Sequence, residues 1–262
     1  MQEKCPVCGS QNIKAVDRTA KKYKCLSCDE IFTLEEKPVV KEVVREVIKE
    51  VVKEQPSDNF YSAKQVYDEN IESIVEVNCA FDSVYSSGTG FYISDKGYII
   101  TNTHVVINYV GKKPVLCENV SVCKSRSTDY IEAEVLYLDP KNDLAILKTD
   151  TDKPVKAVKI AENDISIGEK LFTIGNSKGE GLMIVDGIVG DLNRSFKGTP
   201  VFIFNALVTH GCSGGAVFND KGEVCGVTVG GAKEAAGMNY AINLHTLKDF
   251  ITRAKEEKEI DF

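Results

Sequence analysis

The sequence contains no tryptophan, and only three histidines and three methionines occur among its 262 residues. An excess of positive charge is also absent, since the formal net charge is −7. Neutralising phosphate groups requires clustered Lys and Arg, so an acidic chain is a poor general binder of nucleic acids or anionic membranes. No apolar run approaches the roughly 18 residues that would span a bilayer. We therefore expect neither a nucleic-acid partner nor a membrane.

The first residues lack the pattern of a secretory signal peptide. Met1 is followed by polar residues and cysteines instead of a basic segment and an apolar core,. The nine cysteines are an odd number, which is typical of a reducing compartment where thiols persist. Together these features predict a cytoplasmic protein.

Three segments of the chain differ in composition, and we predict that they are three structural regions. Residues 1–36 are polar and rich in cysteine, residues 37–58 contain a repeat with a period of four, and residues 59–262 have the patterning of a β-rich domain. The repeat reads VVKE, VVRE, VIKE and VVKE from Val39 to Glu54. On a helix its apolar pairs would form a stripe opposite Lys and Glu. A charged spacer is the favoured interpretation, while docking onto another surface or homo-oligomerisation through residues 39–54 or the third segment stays open.

Two C-x-x-C motifs in the first segment predict a zinc ribbon. Cys5 and Cys8 form one motif and Cys25 and Cys28 the other, and their spacing falls within the zinc signature,. Two residues between cysteines allow a tight turn to direct both thiolates at one ion, and a second turn completes a tetrahedral shell. A redox C-x-x-C pair is the alternative, but it would not explain two motifs. Such a closed shell is structural, so we expect zinc here and no cofactor for catalysis.

The third segment reads as many short strands separated by Gly and Asx turns. Asp95-Lys96-Gly97 and Asn219-Asp220-Lys221-Gly222 are two of these turns,. The closing stretch from Leu244 to Ile260 has the pattern of a helix,. Strands at this spacing with one final helix predict an all-β barrel or sandwich.

A glycine-rich stretch, Gly211-Cys212-Ser213-Gly214-Gly215, contains a candidate nucleophile. A serine hydroxyl is a weak nucleophile unless a base removes its proton and the developing oxyanion is stabilised. Glycines allow a tight turn in which successive amides point to one spot. We therefore predict that Ser213 is the nucleophile and that the amides of Gly211 and Ser213 form an oxyanion hole.

Histidine and aspartate partners for Ser213 lie earlier in the chain. His104 follows the apolar strand around Ile99 and Ile100, whereas His210 is too close to Ser213 in sequence for the usual facing geometry. Asp143 lies where a turn enters a buried apolar strand, and a buried carboxylate needs a partner such as an imidazole N–H. The sequence therefore predicts His104, Asp143 and Ser213 as a catalytic triad in the order His, Asp, Ser.

From about Tyr61 onward the chain contains a series of motifs around and between the candidate residues: Ser87-Gly88-Thr89-Gly90-Phe91, Thr101-Asn102-Thr103-His104-Val105-Val106, Asp143-Leu144-Ala145-Ile146-Leu147-Lys148, Ile174-Gly175-Asn176, Gly187-Ile188-Val189, Gly211-Cys212-Ser213-Gly214-Gly215-Ala216-Val217, Gly222-Glu223-Val224-Cys225-Gly226-Val227 and Met238-Asn239-Tyr240-Ala241-Ile242. In these motifs and their order the chain resembles the HtrA/Deg branch of the trypsin-like serine proteases. The resemblance covers about three quarters of the chain.

The resemblance implies a chymotrypsin-type fold of two six-stranded β-barrels with the active site between them. It also implies that residues 59–262 form a serine protease domain acting on proteins or peptides through an acyl-enzyme. Thr228, Val229 and Gly230 would pair with an extended substrate, and Leu207 would line the primary specificity pocket. The pocket has no acidic residue at its base, so cleavage after small or medium apolar residues is expected.

Two departures from the family pattern concern the nucleophile and the end of the chain. Cys212 stands where the family usually has Asn or Asp, and we expect no peptide-binding PDZ domain after the terminal helix, although the family commonly carries one. The alternative function is a weakly active or inactive protease-fold module that binds extended peptides or a partner protein. For Cys79, Cys117, Cys123 and Cys225 we expect burial as small apolar residues.

Overall fold

A computed structural model of the chain describes residues 4–17, 19, 21–33, 60–81, 84–231 and 237–262. It divides into two compact units, Met1–Asp58 and Asn59–Phe262. The predicted repeat linker, residues 37–58, lies outside the described residues. Among the described residues no helix is long and apolar enough to cross a membrane.

The first unit contains a three-stranded antiparallel sheet. Its strands are β1 (Ile13–Asp17), β2 (Lys22–Cys25) and β3 (Ile31–Thr33). Tyr23 and Phe32, which are register partners on β2 and β3, stack with ring centroids 6.3 Å apart. The small apolar cluster of this unit combines Phe32 with the buried cysteines Cys5 and Cys25.

The second unit contains two closed six-stranded barrels. The strands of the first barrel are β4 (Ile74–Phe81), β5 (Val84–Tyr92), β6 (Tyr98–Thr101), β9 (Asn119–Cys123), β10 (Ile131–Asp139) and β11 (Leu144–Thr149). The strands of the second are β12 (Lys170–Asn176), β13 (Leu182–Phe196), β14 (Thr199–Phe204), β15 (Ala216–Phe218), β16 (Val224–Gly231) and β17 (Asn239–Asn243). Around the first barrel the strand order is β10-β11-β6-β5-β4-β9, around the second it is β12-β13-β14-β17-β16-β15, and every neighbouring pair is antiparallel.

The barrels form because their strands carry enough apolar residues to fill both interiors. Leu144 to Leu147 are all fully buried, since alternate residues of this strand face the barrel interior and the packing outside it,. Phe172, Phe202, Phe204 and Phe218 supply bulk in the second barrel. The prediction of two six-stranded barrels with a final helix is confirmed.

Two helices hold the barrels together by crossing from one to the other. Helix α1 (Ala63–Asn70) precedes the first barrel, yet the Asn70 amide donates to Gly222 O of the second at 3.4 Å. Helix α3 (Leu244–Lys258) follows the second barrel and packs on β10 of the first, where Phe250 stacks on Tyr137 at 5.4 Å. Near that stack, Arg253 forms an ion pair with the buried carboxylate of Asp139. Each barrel is therefore clamped by a helix that is contiguous with the other.

The sequence prediction omitted several short elements. Helix α1 begins with a capping box, in which Ser62 Oγ accepts from Gln65 N and Gln65 Oε1 accepts from Ser62 N; the S-x-x-Q pattern is its sequence signal. A one-turn helix, α2 (Thr103–Val106), and a hairpin of β7 (Ile107–Val110) and β8 (Lys113–Leu116) follow β6. Two short 3-10 turns span Ile71–Ser73 and Ser177–Gly179. The terminal helix ends at Lys258, two residues before the predicted Ile260, because Glu259 adopts a left-handed conformation,.

Candidate active site

His104 lies on helix α2, directly after the end of β6. Its ring atom Nδ1 is 2.7 Å from Asp143 Oδ2, and its backbone N–H donates to Asp143 Oδ1 at 3.0 Å. The carboxylate thus contacts the histidine at two points and fixes the plane of the ring. An acceptor facing Nδ1 favours the tautomer with the proton on Nδ1, which leaves the lone pair of Nε2 free to act as a base.

Asp143 occupies the last position of the turn between β10 and β11, with a left-handed φ of +56°. Aspartate tolerates this conformation better than most residues. Its position is set by neighbours of His104, since Asn102 Nδ2 donates to Asp143 O at 2.8 Å and Thr103 Oγ1 donates to Leu144 O at 2.7 Å. Both members of the His–Asp pair therefore belong to one rigid corner of the first barrel.

Ser213 lies in the loop between β14 and β15 of the second barrel. Gly211 and Gly214 flank it with φ values of +95° and +81°. A Cβ at Gly211 would come within 2.0 Å of Asn176 O, and one at Gly214 within 2.3 Å of Thr89 O. Only glycine fits at either position, which explains the G-x-S-G spacing physically.

The Ser213 hydroxyl donates to Val229 O at 3.0 Å. Among the described residues no hydrogen bond joins it to His104, so the third link of the predicted triad is not formed in this conformation. Val229 O and the His–Asp pair nevertheless lie on one cleft, because Val229, His104 and Asp143 line the same cavity.

The backbone around Ser213 leaves two amides without an acceptor. Within the described part of the chain neither Gly211 N–H nor Ser213 N–H donates a hydrogen bond, whereas Cys212 N–H donates to Thr209 O at 3.2 Å. The preceding carbonyl, His210 O, accepts from Lys178 N at 2.7 Å. In a trans peptide the C=O and N–H point in opposite directions. The His210 contact therefore turns Gly211 N–H away from Lys178.

Cys212, the residue before Ser213, is buried, with 4% exposure. It packs against Gly175, where a Cβ would come within 3.1 Å of the Cys212 sulfur. Burial raises the pKa of the Cys212 thiol. A protonated, buried thiol is a poor nucleophile, so this cysteine acts as a packing residue behind Ser213.

The predicted substrate-binding residues occupy different environments. Thr228 is fully buried, and both of its backbone groups are already used: its N–H donates to Gly215 O and its carbonyl accepts from Gly214 N. Between the register partners Thr228–Ala241 and Gly230–Tyr240 the pairing of β16 with β17 shifts at a bulge. The Leu207 side chain is 77% exposed, outside the packed interior.

A cleft of about 350 Å³ beside His104 contains residues that the sequence prediction missed. The second barrel contributes the tip of the β13–β14 hairpin, and Thr199 Oγ1 donates across the cleft to Lys141 O at 2.7 Å. The available signal was the Lys197-Gly198 pair, a turn in which both residues have positive φ,. The other lining residues outside the predicted triad are Thr103, Ile107, Tyr109, Pro140, Phe196 and Val229. A larger cavity of about 500 Å³, bordered by Val75, Tyr92 and Val122, is lined by no residue of the predicted triad.

The two other histidines do not join the site. His210 is exposed and its carbonyl accepts from Lys178 N, while the His245 ring lies 3.3 Å from Asp249 on the terminal helix.

In the first unit, the four cysteines of the C-x-x-C motifs converge, and all four sulfurs lie within 4.8 Å of one another.

Two antiparallel six-stranded barrels, with a histidine and an aspartate on one and a glycine-flanked serine on the other, define the class of chymotrypsin-like serine peptidases. Residues 88–227 match the family described as Trypsin-like peptidase domain. This match covers more than half of the 262 residues, so the chain belongs to that family.

Two sequence relatives and one solved structure show which proteins the chain is similar to. The chain is 30% identical over 187 residues to periplasmic serine endoprotease DegP of Escherichia coli K12, covering 66% of this chain and 36% of DegP. A probable DegP-like periplasmic serine endoprotease of Rickettsia prowazekii is 30% identical over 184 residues, covering 66% of this chain and 34% of that protein. The chain thus spans about a third of the length of these relatives. The crystal structure of the serine endoprotease from Yersinia pestis superimposes with a TM-score of 0.63 at 27% identity, covering 74% of this chain and 66% of that one.

The comparison contradicts the prediction of a cytoplasmic location, because these relatives are named periplasmic enzymes. The prediction combined the pattern of the first residues with the odd number of cysteines, and the argument from the cysteines was wrong for a physical reason. Five cysteines of the second unit, Cys79, Cys117, Cys123, Cys212 and Cys225, are buried. Buried thiols are inert toward thiol–disulfide exchange. The number of these cysteines therefore reflects the packing of the core and does not identify a compartment.

Proposed function

We propose that the chain is a serine endopeptidase in which Ser213 is the nucleophile, His104 the general base and Asp143 the residue that orients it. The observation that carries the proposal is the 2.7 Å contact between His104 Nδ1 and Asp143 Oδ2, on the cleft that also holds Val229. The names of the relatives, all serine endoproteases, support protein or peptide substrates.

Acylation begins with rotation of the Ser213 hydroxyl from Val229 O toward His104 Nε2. The imidazole takes the proton as Ser213 Oγ attacks the peptide carbonyl carbon. The two free amides, Gly211 N–H and Ser213 N–H, receive the oxyanion, a contribution of about 10²–10³-fold per donor in comparable sites. His104 then donates the proton to the leaving amine, which breaks the C–N bond and leaves the acyl-enzyme.

Deacylation repeats the same steps with water as the nucleophile. His104 takes a proton from water, and the hydroxide attacks the ester carbonyl of the acyl-enzyme. Proton transfer from His104 to Ser213 Oγ then releases the acid. Throughout, Asp143 stabilises the charged imidazolium by accepting from Nδ1–H.

For specificity we propose cleavage after small or medium apolar residues, with Leu207, Val229 and Gly230 beside the substrate. The segment from Asn205 to His210 has no acidic residue, which disfavours a basic side chain before the cleaved bond. Thr228 would hold the neighbouring Val229 and Gly230 in place, since its own backbone groups already bind Gly214 and Gly215.

One observation favours the alternative, a protease-fold module that binds peptides without cleaving them. Ser213 Oγ donates its proton to Val229 O and not to His104. If this conformation persisted with substrate bound, the serine would remain un-ionised.

A fluorophosphonate probe distinguishes the two functions, because it reacts only with an activated serine. We expect the wild-type chain to be labelled and to digest casein, and S213A and H104A each to lose nearly all activity. The double variant should be hardly worse than either single one, since the residues act as a unit. Absence of labelling in folded wild-type protein would favour the binding module. Labelling that survives S213A but vanishes in C212A would move the nucleophile to the thiol.

We further propose that Cys5, Cys8, Cys25 and Cys28 hold one structural zinc ion. A tetrahedron of thiolates with Zn–S bonds of about 2.3 Å has sulfurs about 3.8 Å apart. The distances of 3.8 Å for Cys5–Cys28 and 3.6 Å for Cys8–Cys25 fit that shell. The Ser27 amide donates to Cys25 Sγ at 3.4 Å, as amides around a bound thiolate do.

Metal analysis of protein purified without chelators tests this site. We expect about one zinc per chain in the wild type and none in C25A. C79A is the matched control, since Cys79 is equally buried but lies in the first barrel, and it should retain the metal. Equal zinc content in C25A and wild type, or none in the wild type, would refute the proposal.

A further inference from the structure

Thr89 is a polar residue of the first barrel that contacts the nucleophile loop of the second. It lies on β5 and is fully buried. Its backbone N–H donates to Ser213 O at 2.8 Å, and its hydroxyl donates to Gly211 O at 2.7 Å. One threonine therefore binds the carbonyl of the proposed nucleophile and that of the glycine two residues before it.

The same hydroxyl also accepts a hydrogen bond, which fixes its own orientation. Asn176 N–H donates to Thr89 Oγ1 at 2.9 Å. Asn176 is itself held, because its Nδ2 donates to Glu76 Oε2 at 3.0 Å and its Oδ1 accepts from Gly181 N at 3.1 Å. Glu76 and Asn176 are both buried, at 9% and 1% exposure. The Thr89 hydroxyl thus cannot rotate without leaving a buried amide unpaired.

The Gly211 backbone needs such a restraint because glycine is free to adopt many conformations. Two peptide planes meet at its Cα. The plane before it carries Gly211 N–H and is held by the bond between Lys178 N and His210 O. The plane after it carries Gly211 O and is held by the Thr89 hydroxyl. With both planes fixed, the direction of Gly211 N–H is determined before substrate arrives.

We propose that Thr89 is a positioning residue for the oxyanion hole: its hydroxyl fixes the peptide plane between Gly211 and Cys212, which joins the two planes that carry the Gly211 and Ser213 amides, so that both amides point to one spot. The inference rests on the proposed function, because it concerns the same site. A threonine that only stabilised the interface between the barrels would affect folding but not the preference of the loop for an oxyanion.

The test compares T89V, T89S and the matched control T149V. Valine keeps the shape and the backbone N–H of residue 89 and removes only the hydroxyl, whereas serine restores it. Thr149 is also fully buried in the first barrel, and its hydroxyl also donates to a carbonyl, Gly97 O, at 3.1 Å. We expect kcat of T89V to fall about 10- to 100-fold, the effect of unpaired buried groups, with KM within about twofold. T89S and T149V should stay within about threefold of wild type.

A pair of inhibitors provides the readout that a structural role would not change. A peptide trifluoromethyl ketone forms a tetrahedral oxyanion on the serine, and the matching peptide alcohol does not. In T89V the ketone should bind weaker by about the factor lost in kcat, while the alcohol should bind as in wild type. Equal weakening of both inhibitors, or wild-type kcat in T89V, would overturn the proposal.

Folding and the parent function are checked in the same experiment. Circular dichroism establishes whether T89V is folded; if it is not, T89A removes the hydroxyl without placing a methyl group beside two polar atoms, and the same outcomes apply. Failure of both to fold would make Thr89 structural and overturn the proposal. Wild-type protein that takes no fluorophosphonate label would overturn the proposed function itself, whereas a labelled wild type with fully active T89V would overturn the role of Thr89 alone.

Discussion

Replacing Asp143 by Asn tests whether the His–Asp contact orients a base. The asparagine Oδ1 can still accept from His104 N–H, which now bonds Asp143 Oδ1 at 3.0 Å. The asparagine Nδ2 would then face His104 Nδ1 across the present 2.7 Å contact. Two donors cannot share that contact, so the imidazole changes to the tautomer with its proton on Nε2. In that tautomer Nε2 cannot accept the proton of Ser213.

The expected loss is about 10⁴-fold in kcat, as for the same change in a comparable triad, which corresponds to roughly 5.5 kcal/mol of transition-state stabilisation. KM should change little because the substrate does not contact residue 143. Steady-state kinetics on a peptide chosen from a library gives both parameters, and thermal unfolding should stay close to wild type since the exchange is isosteric. D139N, at the last residue of β10 and four positions before Asp143, is the control that leaves the His–Asp contact in place. A D143N enzyme that kept a tenth of the wild-type kcat would refute the tautomer argument.

Two further predictions concern the acid behaviour of the fold and the thiol beside the nucleophile. Burial raises the pKa of Asp139, but the hydrogen bonds from Arg253 and Asn142 outweigh it and lower that pKa below its usual 3.8. Wild type should therefore be more stable than D139N by about 2 kcal/mol above pH 5, and the difference should shrink as pH falls below 3.8; a gap independent of pH in chemical unfolding would contradict this. C212S should keep activity within about tenfold and remain labelled by fluorophosphonate, whereas complete loss with an intact fold would implicate the thiol in chemistry.

Much of the fold was predictable because local patterns determine it. The buried run from Leu144 to Leu147 and the Asx and Gly turns identify strands, and Asn243 before an apolar periodic stretch identifies the final helix, where it accepts from Thr246 N at 2.9 Å. The β7–β8 hairpin was missed because its strands are mostly exposed and lack alternation. Its only strong turn signal is Gly111, with a φ of +67°.

The residues that surround the site were harder to predict because their contacts span the chain. Thr89 and Gly211 are 122 positions apart, and Glu76 and Asn176 are 100 apart. Neither pair has a periodicity or a spacing that links its members. Similarly, the orientation of Ser213 Oγ toward Val229 O depends on the bulge in β16. Sequence patterns indicate which residues could take part in catalysis. The closure of the two barrels decides which groups each of these residues contacts.

If His104, Asp143 and Ser213 act together as proposed, the relative position of the two barrels is a condition for catalysis. His104 and Asp143 belong to the first barrel and Ser213 to the second, so no element contains all three. A shift of about 1 Å between reacting groups can reduce rates on the order of 10²-fold. Two sets of contacts resist such a shift. The first set belongs to the crossing helices, whose contacts Tyr137–Phe250 and Asn70–Gly222 lie at the periphery. The bonds from Thr89 to Gly211 and Ser213 act at the backbone of the proposed nucleophile itself. Because the second set adjoins the reacting atoms, loosening it should affect kcat before it affects the melting temperature, and loosening the helices should do the reverse.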